Sequence, residues 1–423
     1  MATQTLKGFR DFLPQTMAVR NKVIDTVKEV FSFYGFWELQ TPTLEYSQVL
    51  LGKYGEEAEK LMYLFKDRGG RNVGLKYDLT VPLARVMSQY PKLPIPFKRF
   101  QIQPVFRADK PQKGRYREFY QCDVDTVGSS SPLSDAEILT VISECLIALG
   151  FPNFSLKINS RDILFSLLEK ASVDKKLAIS VLQSLDKLDK KPQAEVEAEL
   201  SQKSLSPDQV KTLFRGISQA LPDKNLTDII SLSKKLGAKN IVFTPTLVRG
   251  LDYYTGAIFE TTVTQPKIGS ITGGGRFDNL IKTLGGPNLP AVGTSLGLDR
   301  ISDVIEENKL LENLPSKIQI LVTVFDGSSL STSASTAKSL REKGIACEVY
   351  PDTSKLEKQL QYSTLKNIPY VVIIGPEESK AGLVTLKDMA KFSQITLSLD
   401  QLIQNFSHPP AKSVTPRKLQ TSQ

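Results

Sequence analysis

Phe106-Arg107-Ala108-Asp109-Lys110-Pro111-Gln112-Lys113-Gly114-Arg115-Tyr116-Arg117-Glu118-Phe119-Tyr120-Gln121-Cys122-Asp123-Val124-Asp125 decides how this chain is read. Five of its first twelve residues are basic. Residues 98–127 read as two strands around a polar loop from Arg107 to Arg117, and pairing them as a hairpin puts the basic residues at one end of a sheet. Side chains alternate along a strand, so residues 117, 119, 121, 123 and 125 share a face, with Gln121 and Asp125 on the side of Phe119. A guanidinium grips phosphate in a fork that lysine cannot reproduce, and an aromatic ring such as Phe119 can stack on a nucleobase. An exposed hairpin tip would carry the same residues with no ligand.

Upstream, Val19, Val23, Val27, Val30, Phe31 and Tyr34 recur at three- and four-residue spacing, which predicts an amphipathic helix over 18–34 ended by Gly35. A strand at 36–40 is stopped by Pro42. Residues 72–90 read as a short strand, a turn and a helix starting near Thr80-Val81-Pro82, where a proline costs no backbone bond. Downstream, 161–237 shows helical periodicity with many polar residues, and Ser206-Pro207-Asp208 is a helix start. Strand-like sequence returns at 240–243 and 257–263, followed by a glycine cluster and a helix over 296–308. From Ile318, strands at 318–325, 345–350 and 370–374 alternate with helices at 329–343 and 355–367. That pattern predicts a small α/β domain with a largely parallel sheet.

Composition narrows the chemistry. The chain has 423 residues, 40% hydrophobic and 23% charged, enough for two or three globular domains. No apolar run reaches membrane-span length, and the first ten residues lack the apolar stretch of a signal peptide. Three cysteines without a C-x-x-C pair favour a reducing cytoplasm over a disulfide framework or a cysteine metal site. The net charge of +9 fits a polyanionic partner, and equally a well-solvated basic surface. The single histidine, His408, lies beside two prolines in a polar tail. A Ser-His-Asp triad, a histidine zinc pair and a histidine general base are therefore excluded. Arginine, lysine, carboxylates and hydroxyls remain, a set suited to electrostatic catalysis on phosphates.

Three further segments can carry such chemistry. In Lys76-Tyr77-Asp78-Leu79-Thr80 the carboxylate and hydroxyl stand two apart; they can bind an ammonium group or cap the helix that follows. Leu247-Val248-Arg249-Gly250-Leu251-Asp252-Tyr253-Tyr254-Thr255-Gly256 places an arginine before a glycine and ahead of paired tyrosines. Gly273-Gly274-Gly275-Arg276-Phe277-Asp278-Asn279 and Ala291-Val292-Gly293-Thr294-Ser295-Leu296-Gly297-Leu298-Asp299-Arg300 permit close backbone approach or tight turns. Neither a Walker lysine loop nor a G-x-G-x-x-G fingerprint occurs.

Together these segments resemble the histidyl-tRNA synthetase family of class II aminoacyl-tRNA synthetases. Lys7-Gly8-Phe9-Arg10-Asp11 is similar to the family's opening, 106–125 to class II motif 2, 291–300 to motif 3, and Leu247–Tyr254 to a signature peculiar to the histidine enzymes. The likeness spans about 400 residues. It implies an α+β fold: an antiparallel-sheet catalytic domain over 1–160 and 238–308, a helical insertion over 161–237, a linker at 309–317, an α/β anticodon-binding domain over 318–406 and a disordered tail at 407–423.

The resemblance also implies roles. Arg107 and Arg249 act at the α-phosphate; Arg115 and Arg300 hold the γ-phosphate end of ATP, and Phe119 stacks on adenine. Asp78, Leu79, Thr80, Gln121 and Asp125, together with Arg107 and Arg249, surround the amino acid, and Tyr253 and Tyr254 line the imidazole pocket. The implied activity is ligation of L-histidine to tRNA(His) in the cytoplasm, using ATP with Mg2+ on its β- and γ-phosphates and no direct protein ligand to the metal. The helix over 18–34 resembles class II motif 1, which implies a homodimer covering an otherwise partly exposed apolar face. Lys76 stands where the family commonly has arginine, Asp109 and Asp125 where many members have glutamate, and Phe277 where a tyrosine is usual. The competing reading is the non-catalytic relative that serves as a regulatory subunit of ATP phosphoribosyltransferase; it shares the fold but lacks the anticodon domain and has an eroded site.

Overall fold

A computed structural model describes residues 3–52, 60–112, 114–189, 191–248, 253–266, 268–311 and 318–407. The chain divides into two compact units, 1–312 and 313–423.

In the first unit the strands are β1 (Trp37–Glu38), β2 (Leu44–Tyr46), β3 (Leu64–Lys66), β4 (Asn72–Leu75), β5 (Phe97–Phe106), β6 (Glu118–Val127), β7 (Phe154–Ser160), β8 (Ile241–Phe243), β9 (Ala257–Val263), β10 (Ser270–Arg276) and β11 (Ala291–Gly297). Among the described residues, eight of them form one sheet in the order β1-β5-β6-β11-β10-β9-β7-β8. Its six central strands are antiparallel, and the short outer strands β1 and β8 pair in parallel. Strands β2, β4 and β3 form a separate small sheet.

The helix Pro14–Phe33 begins four residues earlier than its valine spacing suggests, with Pro14 in the first turn. Val23, Val27 and Phe31 are fully buried against the large sheet. The apolar face expected to await a partner is therefore used within the chain. What stands exposed is Phe33 at the helix end and Trp37 in β1. Helices Pro132–Ala148 and Leu298–Glu307 bury the same side of the sheet. Ser131 caps the former by accepting from the Leu133 N–H.

The helices between 161 and 219 build their own core from residues such as Leu164, Leu168, Val181, Leu200 and Leu213. The capping box at Ser206 and Gln209 sets one start as the sequence indicated. The last helix of the stretch, Lys224–Lys235, behaves differently: it gives Leu226 and Ile229 to the core of the large sheet. The self-packed helical segment is shorter than 161–237, because composition alone does not tell which core a helix joins.

The second unit is a sheet in the order β13 (Cys347–Val349), β12 (Ile320–Val322), β14 (Tyr370–Ile373), β15 (Leu383–Asp388), β16 (Ser393–Ser398). The first three strands are parallel and the last two antiparallel, so the sheet is mixed rather than largely parallel. Ile320 and Val322 pack under Leu340 of the helix Leu330–Glu342, while Leu321 and Val371 pack on the other face with Ile368. Burial on both faces explains the unbroken apolar runs of the parallel strands. The hairpin β15–β16 and the helix Leu399–Ser407 complete the unit beyond the elements expected from the sequence.

Candidate active site

The floor of the site is set by register. Across β5 and β6, Arg99 faces Asp125, Gln101 faces Asp123 and Gln103 faces Gln121. On the other side of β6, Gly293 of β11 faces Asp125 and Ser295 faces Asp123. Opposed residues of an antiparallel pair project to the same face, so this face is polar from strand to strand. The alternate residues Phe100, Cys122, Val124, Val292 and Leu296 point into the core beneath. Gly293 is required here: a Cβ would collide with the Asp125 carboxylate and the Val124 carbonyl. Above the floor opens a cavity of about 320 Å³.

One end of the cavity is acidic and buried. Asp78, Asp123 and Asp125 lie there with one guanidinium, that of Arg99, which is completely buried. Arg99 Nη2 is 2.8 Å from Asp125 Oδ2 and 3.9 Å from Asp123 Oδ2. It also donates to the Leu79 carbonyl at 3.2 Å. Burial pushes all three carboxyls up, Asp123 to about 6 and Asp125 to about 7, against the pull of Arg99 and, at Asp78, of the Val81 N–H and Arg107 as well. Asp78 fills both roles left open by the sequence. Its Oδ1 accepts from the Val81 N–H at 3.0 Å and caps the helix Thr80–Gln89. Its Oδ2 is buried with no hydrogen-bond partner among the described residues, as are Asp125 Oδ2 and Gln121 Oε1. The Asp125 oxygen is thus close to Arg99 in charge yet lacks a directed hydrogen bond. Orphaned buried acceptors of this kind are costly and call for a donor. A ligand ammonium supplies one.

The other end is basic and open. Arg107 donates from Nε to the Tyr77 carbonyl at 3.2 Å. Its guanidinium lies 4.3 Å from the Tyr77 ring centre and 5.1 Å from that of Phe119. Arg300 is held by the carbonyls of Gly114, at 2.8 Å, and Ser270. Arg115, with half its side chain exposed, is 4.0 Å from Asp109. Along one wall Tyr253 and Tyr254 meet edge-on at 4.9 Å, with Phe277 at 6.2 Å from Tyr253.

Of the residues expected in the site, Asp78, Thr80, Arg107, Arg115, Phe119, Gln121, Asp125, Tyr253, Tyr254 and Arg300 all line this one cavity. Leu79 does not; its side chain is buried and its contribution is the carbonyl that holds Arg99. Arg249 lies outside the described residues. Sequence reading missed Arg99, Asp123 and Ser295. The signal was available in Arg99-Phe100-Gln101-Ile102-Gln103, whose strict alternation marks a strand with one polar face. Lys76 is buried behind the floor, donating to Gln103 Oε1 at 2.9 Å and the Thr41 carbonyl at 3.3 Å, and burial lowers its ammonium to about 8.

An antiparallel sheet carrying an arginine just past one hairpin strand, and a second arginine on the helix that follows the glycine-bearing strand β11, defines a class II aminoacyl-tRNA synthetase catalytic unit. A family model described as histidyl-tRNA synthetase matches residues 8–301, and one described as anticodon binding domain matches 319–408. A histidine–tRNA ligase of Azobacteroides pseudotrichonymphae is 40% identical, over 95% of this chain and 97% of its own length. One of Gloeobacter violaceus is also 40% identical, over 93% and 96%. The crystal structure of a histidyl-tRNA synthetase from Nostoc superposes with a TM-score of 0.83 at 27% identity, covering 96% of this chain and all of that one. The chain belongs to the histidyl-tRNA synthetase family.

Proposed function

We propose that this chain is a working histidine–tRNA ligase that joins L-histidine to tRNA(His) through a histidyl-adenylate. The observation that carries the reading is the division of one cavity into an acidic, buried end and a basic, open end. The first suits an α-ammonium, the second a triphosphate.

In this reading the histidine ammonium lies against Asp78 Oδ2, Gln121 Oε1 and Asp125 Oδ2, whose unsatisfied acceptors it fills. Thr80 stands beside it, and Tyr253 and Tyr254 bound the imidazole. Phe119 stacks on adenine. Arg107 is near enough to Asp78 to pull its carboxyl down; from there it serves both the histidine carboxylate and the α-phosphate. Arg249 is assigned to the α-phosphate on its sequence context. A histidine carboxylate oxygen attacks the α-phosphorus, the bond to the bridging oxygen breaks, and pyrophosphate leaves with its charge held by Arg115 and Arg300. The two arginines at the α-phosphate stabilise charge as it develops there. The terminal ribose hydroxyl of tRNA(His) then attacks the acyl carbonyl, its proton passes to a phosphate oxygen of the adenylate, and AMP departs. Arginine side chains and the substrate's own carboxylate suffice for these steps, in keeping with a chain that holds one histidine.

Among the described residues no cluster of three or more carboxylate, cysteine or histidine side chains is arranged to hold a metal ion. Magnesium would accompany the triphosphate and neutralise part of its charge, with Arg115 and Arg300 beside the same phosphates. The second unit would select the tRNA by its anticodon. Among the described residues no helix is long and apolar enough to cross a membrane, and a cytoplasmic site of action fits the reading. A homodimer is proposed on the exposed Phe33 and Trp37 rather than on the valine face of the same helix. Sedimentation of the active enzyme at micromolar concentration should give twice the chain mass; a fully active monomer would remove this proposal.

The reading as a whole is tested by histidine-dependent exchange of labelled pyrophosphate into ATP. Exchange with histidine and not with other amino acids is the expected result. A folded protein that exchanges nothing would return the chain to the regulatory-subunit alternative.

A further inference from the structure

The segment Lys7–Arg10 is tied to the loop between β5 and β6 along its length. The Gly8 carbonyl accepts from the Arg117 N–H at 2.9 Å, and the Lys7 carbonyl from Arg117 Nη1 at 3.2 Å. Arg117 Nε closes back on the Asp109 carbonyl at 3.1 Å. Gly8 has φ of +91°, and a Cβ there would be 2.9 Å from the side chains of Arg117 and Pro111. Only glycine lets the segment lie this close.

Two residues on, Arg10 is clasped between the loop and a helix. Its guanidinium carbon is 3.3 Å from the centre of the Tyr116 ring. On the other side Nη2 meets Asp299 Oδ1 at 2.5 Å, and Nη1 is 3.9 Å from Asp303 Oδ1. The Tyr116 hydroxyl donates to Asp303 Oδ2 at 3.3 Å. Asp299 also fixes strand β6 by accepting from the Tyr120 N–H at 2.8 Å. Its neighbour Arg300 reaches the loop at the Gly114 carbonyl. The loop is therefore held on the helix Leu298–Glu307 at two residues by three links: Gly114 through Arg300, and Tyr116 through both Asp303 and Arg10.

We propose that Arg10 is a positioning residue that holds Gly114–Arg117 where Arg115 reaches the phosphates of ATP. The inference rests on the reading of the basic end as the triphosphate site. Arg10 does not line the cavity; it acts through Tyr116 and Asp299, which do. Its removal does not leave a buried charge unpaired, because Arg20 remains 2.7 Å from Asp299 Oδ1. The fold should survive, while the loop loses the cation stacked on its aromatic residue.

The test uses the full chain with Arg10→Ala and Arg10→Lys. In pyrophosphate exchange, Arg10→Ala should raise KM for ATP about tenfold, since misplacing a binding group lowers effective concentration steeply. KM for histidine should stay within about twofold, because the acidic end is built on strands. Arg10→Lys keeps the charge but not the flat stack, and should fall between the two. A second readout needs no activity: trypsin should cut after Arg115 or Arg117 several times faster in Arg10→Ala than in the parent. Faster cutting with no exchange in any form would overturn the ATP reading and leave the loop contact standing. Unchanged cutting, or an equal rise in both KM values, would overturn the role of Arg10. If Arg10→Ala does not fold, Arg10→Lys decides alone: an ATP-selective KM rise supports the role and parental KM values refute it.

Discussion

The two ends of the cavity solve the same problem, holding a charged ligand, by opposite means. At the acidic end, three carboxylates and Arg99 are fixed on β5, β6 and the turn before a helix, and nearly all are buried. Position is certain there, and the cost is desolvation, visible in carboxyls pushed far above their ordinary range. At the basic end, Arg115 rides on a loop with half its side chain in water. Little is lost to desolvation, but the loop must be tied down by the Lys7–Arg10 segment and by Arg300. In the proposed reading the ammonium of a small ligand is thus gripped by rigid, unsatisfied groups. A long, polyanionic one meets exposed cations that are adjusted from outside.

That contrast can be broken at the point where the ends meet. In the proposed reading Arg107 faces both substrates, so Arg107→Ala should lower the rate of adenylate formation by about two to three orders of magnitude, as loss of one charge-stabilising donor does. Arg249→Ala should fall in the same range. Single-turnover formation of the adenylate measures both. A loss confined to KM for one substrate would show that Arg107 belongs to one end only.

At the acidic end, Asp125→Asn should raise KM for histidine about ten- to hundredfold, the worth of one charge-assisted hydrogen bond. KM for ATP should be nearly unchanged. The same substitution takes from the buried Arg99 its partner at 2.8 Å, and its effect on stability should depend on pH. Folded Asp125 titrates near 7, unfolded aspartate near 4. Between those values the folded chain binds more protons than the unfolded one, so this group's contribution to stability falls as pH rises. The melting temperature of Asp125→Asn relative to the parent should therefore climb between pH 5 and pH 8. A difference that stays flat, or shrinks, would mean that Arg99 already neutralises the carboxylate.

The smallest effect belongs to the open end. Arg115→Ala should raise KM for ATP about tenfold at low salt, and the difference should shrink by 0.5 M salt, because exposed charges are screened. KM for histidine should not move. An effect as large and as salt-resistant as that of Asp125→Asn would erase the distinction drawn between the two ends.

Much of the site was legible because strands encode their faces by alternation. Phe119, Gln121 and Asp125 could be placed on one face from spacing alone, whereas Asp78 and Thr80 read equally as a helix cap and came to the site through the family resemblance. Arg99 was not seen as a site residue, because nothing local to β5 says that its polar face lies opposite Asp125 rather than water. Leu79 was placed in the site by its neighbours, and the turn instead points its side chain into the interior. The valines of the helix Pro14–Phe33 announced an apolar face correctly, but spacing cannot say whether the sheet of the same chain or a second copy covers it.

The sequence by itself determined the chemistry available to this protein: one histidine, a basic hairpin loop, paired tyrosines, glycines where backbone must approach closely, and a second α/β unit of alternating strands and helices. These are local properties, written in residue type and period. Tertiary structure alone decided that three carboxylates would share one buried arginine, and that the helix Lys224–Lys235 would join the core of the large sheet. It also decided that a glycine near the N-terminus would lie against a loop more than a hundred residues away. Each depends on strand register or on the meeting of distant segments. Burial then changes the energy of a charge by an amount that no single residue's identity reveals.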